Sequence, residues 1–177
     1  MARKRVLLTV TTYPLPSRSY EELVCTAGVL EDGSWIRIYP VPLSFLMNLR
    51  RSGQMTDRKY TWIELDLEKR KDDFRPESHS PKNHDLSAIT IGDHLGTARE
   101  WNERKQHCLH KVYTSMSALI ADSQDPTNVS LAAFKPTVIH GLIIEEDKRD
   151  WKPVWKEMRK QLDLFAEGAH TEPKALV

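Results

Sequence analysis

The run Trp35-Ile36-Arg37-Ile38-Tyr39 holds the first side chains with chemistry to offer. Strand geometry sends alternate residues to opposite faces, so Trp35, Arg37 and Tyr39 share one face and Ile36 and Ile38 the other. An aromatic–Arg–aromatic row is a stacking platform: bases stack on rings, and a guanidinium stacks or forks to phosphate. The same row also suits half-buried sheet aromatics with an arginine lying across them, because aromatics are ordinary strand formers. Farther along, Glu64, Asp66 and Glu68 fall on one strand face and offer oxygen ligands of the kind Mg²⁺ takes. A nuclease of the Glu-x-Lys type wants a lysine two residues after the glutamate. Asp66 and Arg70 stand there instead, and Lys69, Arg70 and Lys71 point to a solvated edge.

Arg75-Pro76-Glu77-Ser78 offers a fork donor and a hydroxyl, enough to grip a phosphate, although an exposed charged loop has the same composition. Lys135 is a second candidate phosphate contact. His107-Cys108 with His110, and His79 with His84, do not follow zinc-ligand spacing. Cys108 fits an apolar helix stripe better than a metal site. The chain has no P-loop, no GxGxxG and no Ser/His/Asp order. No catalytic residue, metal or cofactor is therefore expected.

These residues need elements to position them. Arg5 to Thr12 alternates as a strand stopped by Pro14 and Pro16, with Ser17-Arg18-Ser19 as loop. Leu23 to Leu30 is apolar on both faces and reads as a central strand. Asp32-Gly33 supplies a tight turn, and Trp35 to Tyr39 follows, stopped by Pro40 and Pro42. A short helix fits Ser44 to Arg51, with Gly53 behind it. Lys59 to Lys69 is a strand whose Ile63, Leu65 and Leu67 face a core, opposite Trp62, Glu64, Asp66 and Glu68. Arg70 to Asp85 reads as a long surface loop, and Ser87 to Ile91 as a short strand ending at Gly92. Trp101, Cys108, Val112, Met116, Leu119 and Ile120 recur at helical spacing, predicting one long or kinked helix between Thr97 and Ser123. Ser130 to Phe134 and Val138 to Glu145 read as strands. Pro153 opens a last helix with Trp151, Trp155, Met158, Leu162 and Phe165 on one stripe. Strands dominate the first half without strand–helix alternation. The expected fold is therefore α+β: a small β-barrel or strongly twisted, mostly antiparallel sheet with inserted and C-terminal helices. One domain is expected over residues 1–165, with a flexible tail at 166–177.

A chain of 177 residues, 40% hydrophobic, is long enough for one real core and too apolar for a disordered chain. No apolar run approaches the roughly 20 residues that cross a bilayer, and no signal peptide is read, so a cytoplasmic protein with no membrane partner is expected. Two cysteines, Cys25 and Cys108, make no disulfide framework and are expected as thiols. Lys and Arg number 26 against 25 Asp and Glu, a net charge of +1. Any nucleic-acid surface must then be a local patch rather than the whole molecule.

Two resemblances carry the functional expectation. The stretches CTAGVLEDGSWIRIYPVP, KYTWIELDLEK, FRPES and SLAAFKP resemble a set of uncharacterised bacterial proteins and, more distantly, proteins predicted to carry tandem OB-like barrels. That resemblance implies nucleic-acid binding on an open sheet face, with Trp35, Arg37 and Tyr39 as candidates. Relatives of this kind continue past the DLF segment into a part with Cys and His residues that these residues do not include, so the resemblance does not carry a metal-dependent role of the family onto them. The second resemblance is Gln161-Leu162-Asp163-Leu164-Phe165, which is similar at all five positions to the pentapeptide that docks on the bacterial replicative sliding clamp. Gln161 would offer its amide to a polar lip, and Leu162, Leu164 and Phe165 would fill apolar pockets. The alternative is that Leu162 and Phe165 continue the stripe of a packed helix, which leaves Leu164 without a role.

The expected function is thus a nucleic-acid-binding accessory module of DNA replication, repair or mobile-element and phage defence. It binds single-stranded or distorted nucleic acid through Trp35, Arg37, Tyr39, Arg75 and Lys135, and the sliding clamp through residues 161–165. The alternatives are a metal-dependent enzyme on nucleic acid or nucleotide using Glu64, Asp66 or Glu77, and a protein-interaction subunit of a defence complex.

Overall fold

The structure, a computed structural model, describes residues 2–11, 15–16, 22–42, 59–83, 86, 88–146 and 153. The helix expected from Ser44, the helix expected from Pro153 apart from the helical Pro153 itself, the 161–165 pentapeptide and the 166–177 tail lie outside these residues.

Five strands close a barrel. β1 (Ala2–Thr11), β3 (Glu22–Leu30), β4 (Trp35–Pro42), β5 (Thr61–Lys69) and β6 (Ser78–Pro81) run in the order β1-β3-β4-β6-β5, and β5 returns to β1. The closing ladder is antiparallel, from Ala2↔Leu67 to Leu8↔Thr61. All barrel neighbours are antiparallel except β4 and β6, which pair in parallel at Arg37↔Ser78 and Ile38↔His79. The short β2 (Leu15–Pro16) pairs with β3, and β7 (Thr90–His94) adds to β5 outside the ring. Closure pairs strand edges that an open sheet would leave exposed. The fold is a small closed β-barrel carrying helices, and its five-stranded ring fits an OB-like barrel.

Period-two alternation builds the interior. Val6, Leu8, Val24, Ile36, Ile38, Val41, Ile63, Leu65 and Leu67 point inward and are buried, with Leu86 plugging the same cluster. The outward residues of β1, β3 and β5 form a second cluster, Leu7, Val29 and Trp62, against which Trp35, Tyr60, Leu95 and Cys108 pack. The Asp32-Gly33 turn forms as its residues require. Gly33 has φ +78°, its N–H donates to the Leu30 carbonyl at 2.9 Å, and an added Cβ would lie 2.2 Å from Cγ of His110.

Several sequence expectations change. Arg70 to Asp85 is not one loop, because β6 lies inside it. The strand ascribed to Ser87–Ile91 is Thr90–His94 and runs through Gly92, where the backbone crosses Trp62; a Cβ there would meet Cβ of Trp62 at 3.3 Å. The glycine marks a close approach rather than an end. The long helix divides into α1 (Ala98–Cys108) and α2 (Met116–Asp122), separated by β8 (Val112–Tyr113), which pairs with β9 (Ala133–Phe134). Helical periodicity cannot anticipate that Val112 and Tyr113 find strand partners, Ala133 and Phe134, 21 residues away in sequence. Of the strand expected from Ser130 only β9 forms. Residues 138–145 form no strand, and their apolar side chains lie open to solvent, from 61% at Val138 to 86% at Ile144. A strand needs a hydrogen-bonding neighbour, and none lies beside this segment among the described residues.

Candidate functional site

The outward row of β4 is where sequence reasoning put its first site, and Trp35, Arg37 and Tyr39 do share that face, all half-buried. Their surroundings differ. Trp35 sits at the edge of the outer apolar cluster beside Leu7, Val29 and Trp62. Tyr39 lies beneath the Arg70 guanidinium, 5.2 Å from its ring centroid. Arg37 stands between them. Its Nη1 reaches Sγ of Cys25 at 3.5 Å, and its Nη2 reaches Oγ of Ser130 at 3.3 Å, the latter a long contact. Its Nε is buried with no hydrogen-bond partner among the described residues. Arg37 makes no ion pair among those residues, so its charge is not neutralised by a contacting carboxylate.

Beside Arg37 the FRPES and SLAAFKP stretches meet. Glu77 is only 8% exposed. Its carboxylate accepts from Ser130 N–H at 3.0 Å, Ser130 Oγ at 2.9 Å and, more weakly, Leu131 N–H at 3.4 Å. A buried carboxylate needs such donors to offset desolvation. Arg37 N–H donates in turn to the Glu77 carbonyl at 3.0 Å. Glu77 therefore fastens the segment after α2 to the barrel. Ser130 links the carboxylate to Arg37.

Arg75 is not a free phosphate grip. Its Nε and Nη2 fork onto Asp73 at 2.9 and 2.6 Å, and Ser78 Oγ adds a bond to the same carboxylate at 2.5 Å. The Arg75 fork, with help from Ser78 and against the cost of burial, holds the Asp73 carboxyl well below its usual range. Lys69 Nζ caps the Arg75 carbonyl. Arg70 forks similarly onto Asp72. Phe74, between the two arginine forks in sequence, is 78% exposed, and Lys71 of the same loop is exposed as well. Sequence reasoning missed Arg70 and Phe74; the signal was the aromatic set among cations in KRKDDFR. Lys135 is exposed, with its backbone N–H on the Tyr113 carbonyl at 2.8 Å, and is not among the contacts of the Arg37 cluster.

The carboxylate row of β5 is dispersed. Glu64 lies between Arg3 and Arg5 at 3.6 and 3.7 Å, while Asp66 and Glu68 are exposed. Glu77 is on a different strand connection and is already engaged. Among the described residues no three His, Cys, Asp or Glu side chains come together as metal ligands. His79 is pushed toward its neutral form, chiefly by burial. Its Nδ1 lies 2.8 Å from the Glu77 carbonyl and its Nε2 3.2 Å from Nζ of Lys4. That pairing fits Nδ1 carrying the proton and Nε2 accepting from the ammonium. No described helix is long and apolar enough to cross a membrane.

No curated protein and no solved structure matches the chain. Residues 2–110, from β1 through α1, match the model of a family described as Domain of unknown function (DUF8758). The matched span is more than half of the 177 residues and contains the whole barrel, so the chain belongs to the DUF8758 family.

Proposed function

We propose that the protein is a nucleic-acid-binding module that takes single-stranded or distorted nucleic acid on the outer face of β3 and β4. The observation that carries this reading is Arg37: a guanidinium with no ion pair among the described residues and a buried, unpaired Nε, set between two aromatic residues on a barrel strand. Tyr39 with Arg70, and the exposed Phe74 at the adjoining loop, extend the same mixture of rings and cations. OB-like barrels bind oligonucleotides on the corresponding sheet face and its bordering loops. With a net charge of only +1, affinity rests on this patch.

The test is a titration of a fluorescent oligothymidylate at low salt. The intact protein binds, affinity falls as salt rises, and Arg37→Ala and Tyr39→Ala each weaken it, a lost base stack costing about 1–3 kcal/mol. Failure to bind single or double strands at low salt overturns the reading. The Gln161–Phe165 pentapeptide supports a second contact, with a bacterial sliding clamp. Leu164→Ala with Phe165→Ala abolishes clamp capture and leaves oligonucleotide binding intact. An intact protein that does not bind the clamp refutes this contact alone.

A further inference from the structure

A second stack of rings and cation lies where α1 meets the barrel. The Arg104 guanidinium sits 4.0 Å from the Tyr60 ring centroid and 5.2 Å from that of Trp101. It is held there. Arg104 Nε donates to the Leu95 carbonyl at 2.9 Å, and Leu95 N–H donates to the Tyr60 carbonyl at 2.8 Å, so one residue ties cation and ring together. Trp101 is 51% exposed, an unusual position for the largest apolar side chain in its element.

The backbone around the stack is strained. Tyr60, Arg99, Glu100 and Trp101 have φ of 58°, 53°, 57° and 67°, four of the six left-handed non-glycine residues among those described. Bulky L-residues rarely adopt this conformation, and such strain collects at ligand sites. Trp101 lies open to solvent on this left-handed turn, whereas an amphipathic helix turns its large apolar side chains to the core. Arg99 and Lys105 are exposed on the same element, and neither they nor Arg104 form an ion pair among the described residues. An exposed ring backed by a cation, with the exposed Arg99 and Lys105 on the same element, suits a base with its phosphate, whereas a purely apolar partner would leave the cations desolvated.

We infer that Trp101, backed by Arg104 and Tyr60, is a second base-stacking position for a single strand of nucleic acid. The inference rests on the nucleic-acid reading above, but it adds a surface distinct from the Arg37 row. The strand stacks a base on the exposed indole while Arg99 and Lys105 meet its phosphates.

The experiment titrates an oligothymidylate into the full chain and follows anisotropy together with tryptophan quenching. Trp101→Leu keeps apolar bulk without a π-face, and Trp101→Phe keeps a ring; circular dichroism checks that each folds. The leucine variant is expected to bind roughly 5- to 150-fold more weakly, the equivalent of one lost base stack, while the phenylalanine variant retains most of the affinity. Arg104→Gln weakens binding as well. If the parent binds and Trp101→Leu binds equally, the second position is refuted while the Arg37 reading stands. If the parent binds no oligonucleotide, both fall together. If leucine and phenylalanine weaken binding equally, the contact is not stacking and the inference is refuted. Should Trp101→Leu fail to fold, Arg104→Gln decides: parental affinity and quenching in that variant refute the site.

Discussion

Glu77→Ala removes the acceptor that fastens the segment after α2 to the barrel. The lost bonds are the Ser130 N–H at 3.0 Å and the Ser130 hydroxyl at 2.9 Å, with a weaker one from Leu131 at 3.4 Å. Hydrogen bonds to a charged group contribute about 1.5–3 kcal/mol each, and donors left unpaired add a desolvation cost. Ser130 and Leu131 are half-buried, so water re-satisfies part of this loss. The expected destabilisation is about 3 kcal/mol, or a fall in Tm of roughly 6–12 °C for a chain of this size. Glu77→Gln keeps a carbonyl acceptor without the charge and is expected to cost about half as much. Urea denaturation measures the difference, and amide hydrogen exchange locates it: Ser130 and Leu131 lose protection while the β1–β5 ladder keeps its own. The contact also holds Ser130 against Arg37, so Glu77→Ala and Arg37→Ala should be non-additive in a double-mutant cycle. A loss below about 0.5 kcal/mol with unchanged protection at both amides would refute this account.

Asp73 predicts an acid-sensitive loop. A carboxyl depressed below its unfolded value of 3.8 contributes stability above that value and loses it as the pH falls through the folded-state value, so the stability of the parent declines in acid and Asp73→Asn flattens that decline; denaturation midpoints between pH 2 and 5 check it. Gly28→Ala would place a Cβ 2.3 Å from the Leu7 carbonyl oxygen and 2.8 Å from Cγ1 of Val6, forcing β1 and β3 apart at a cost of about 2–3 kcal/mol in a thermal melt. Trp62→Ala removes the centre of the outer cluster, with its edge contact to His107 at 5.1 Å and Arg5 at 4.8 Å, and is expected to lower stability by about 3–5 kcal/mol by urea denaturation. A loss under 1 kcal/mol would mean that α1 does not pack on the barrel as described.

The sequence alone determined the elements whose side chains announce their own environment. Alternation at Val6 and Leu8, Ile36 and Ile38, and Ile63, Leu65 and Leu67 is a statement about two faces; it marked three barrel strands, and for the last of them it named the inward residues, while β3 showed as a run apolar on both faces. The Asp32-Gly33 turn was equally legible, because its geometry is local. β6 was not: Ser-His-Ser-Pro has no apolar pattern, and it is a strand only because β4 and β5 lie on either side to receive it. Closure, the outward exposure of Trp101 and the split of the long helix likewise depend on partners distant in sequence. The site divides in the same way. The row Trp35, Arg37, Tyr39 follows from period two. Only the tertiary structure decided that Arg75 is taken by Asp73, that Glu77 is spent on Ser130, and that Arg37 has no ion pair among the described residues and a buried Nε without a partner. Hydrogen bonds and ion pairs are fixed by which side chains arrive in the same place, and arrival across 53 residues, as between Glu77 and Ser130, is a property of the folded chain.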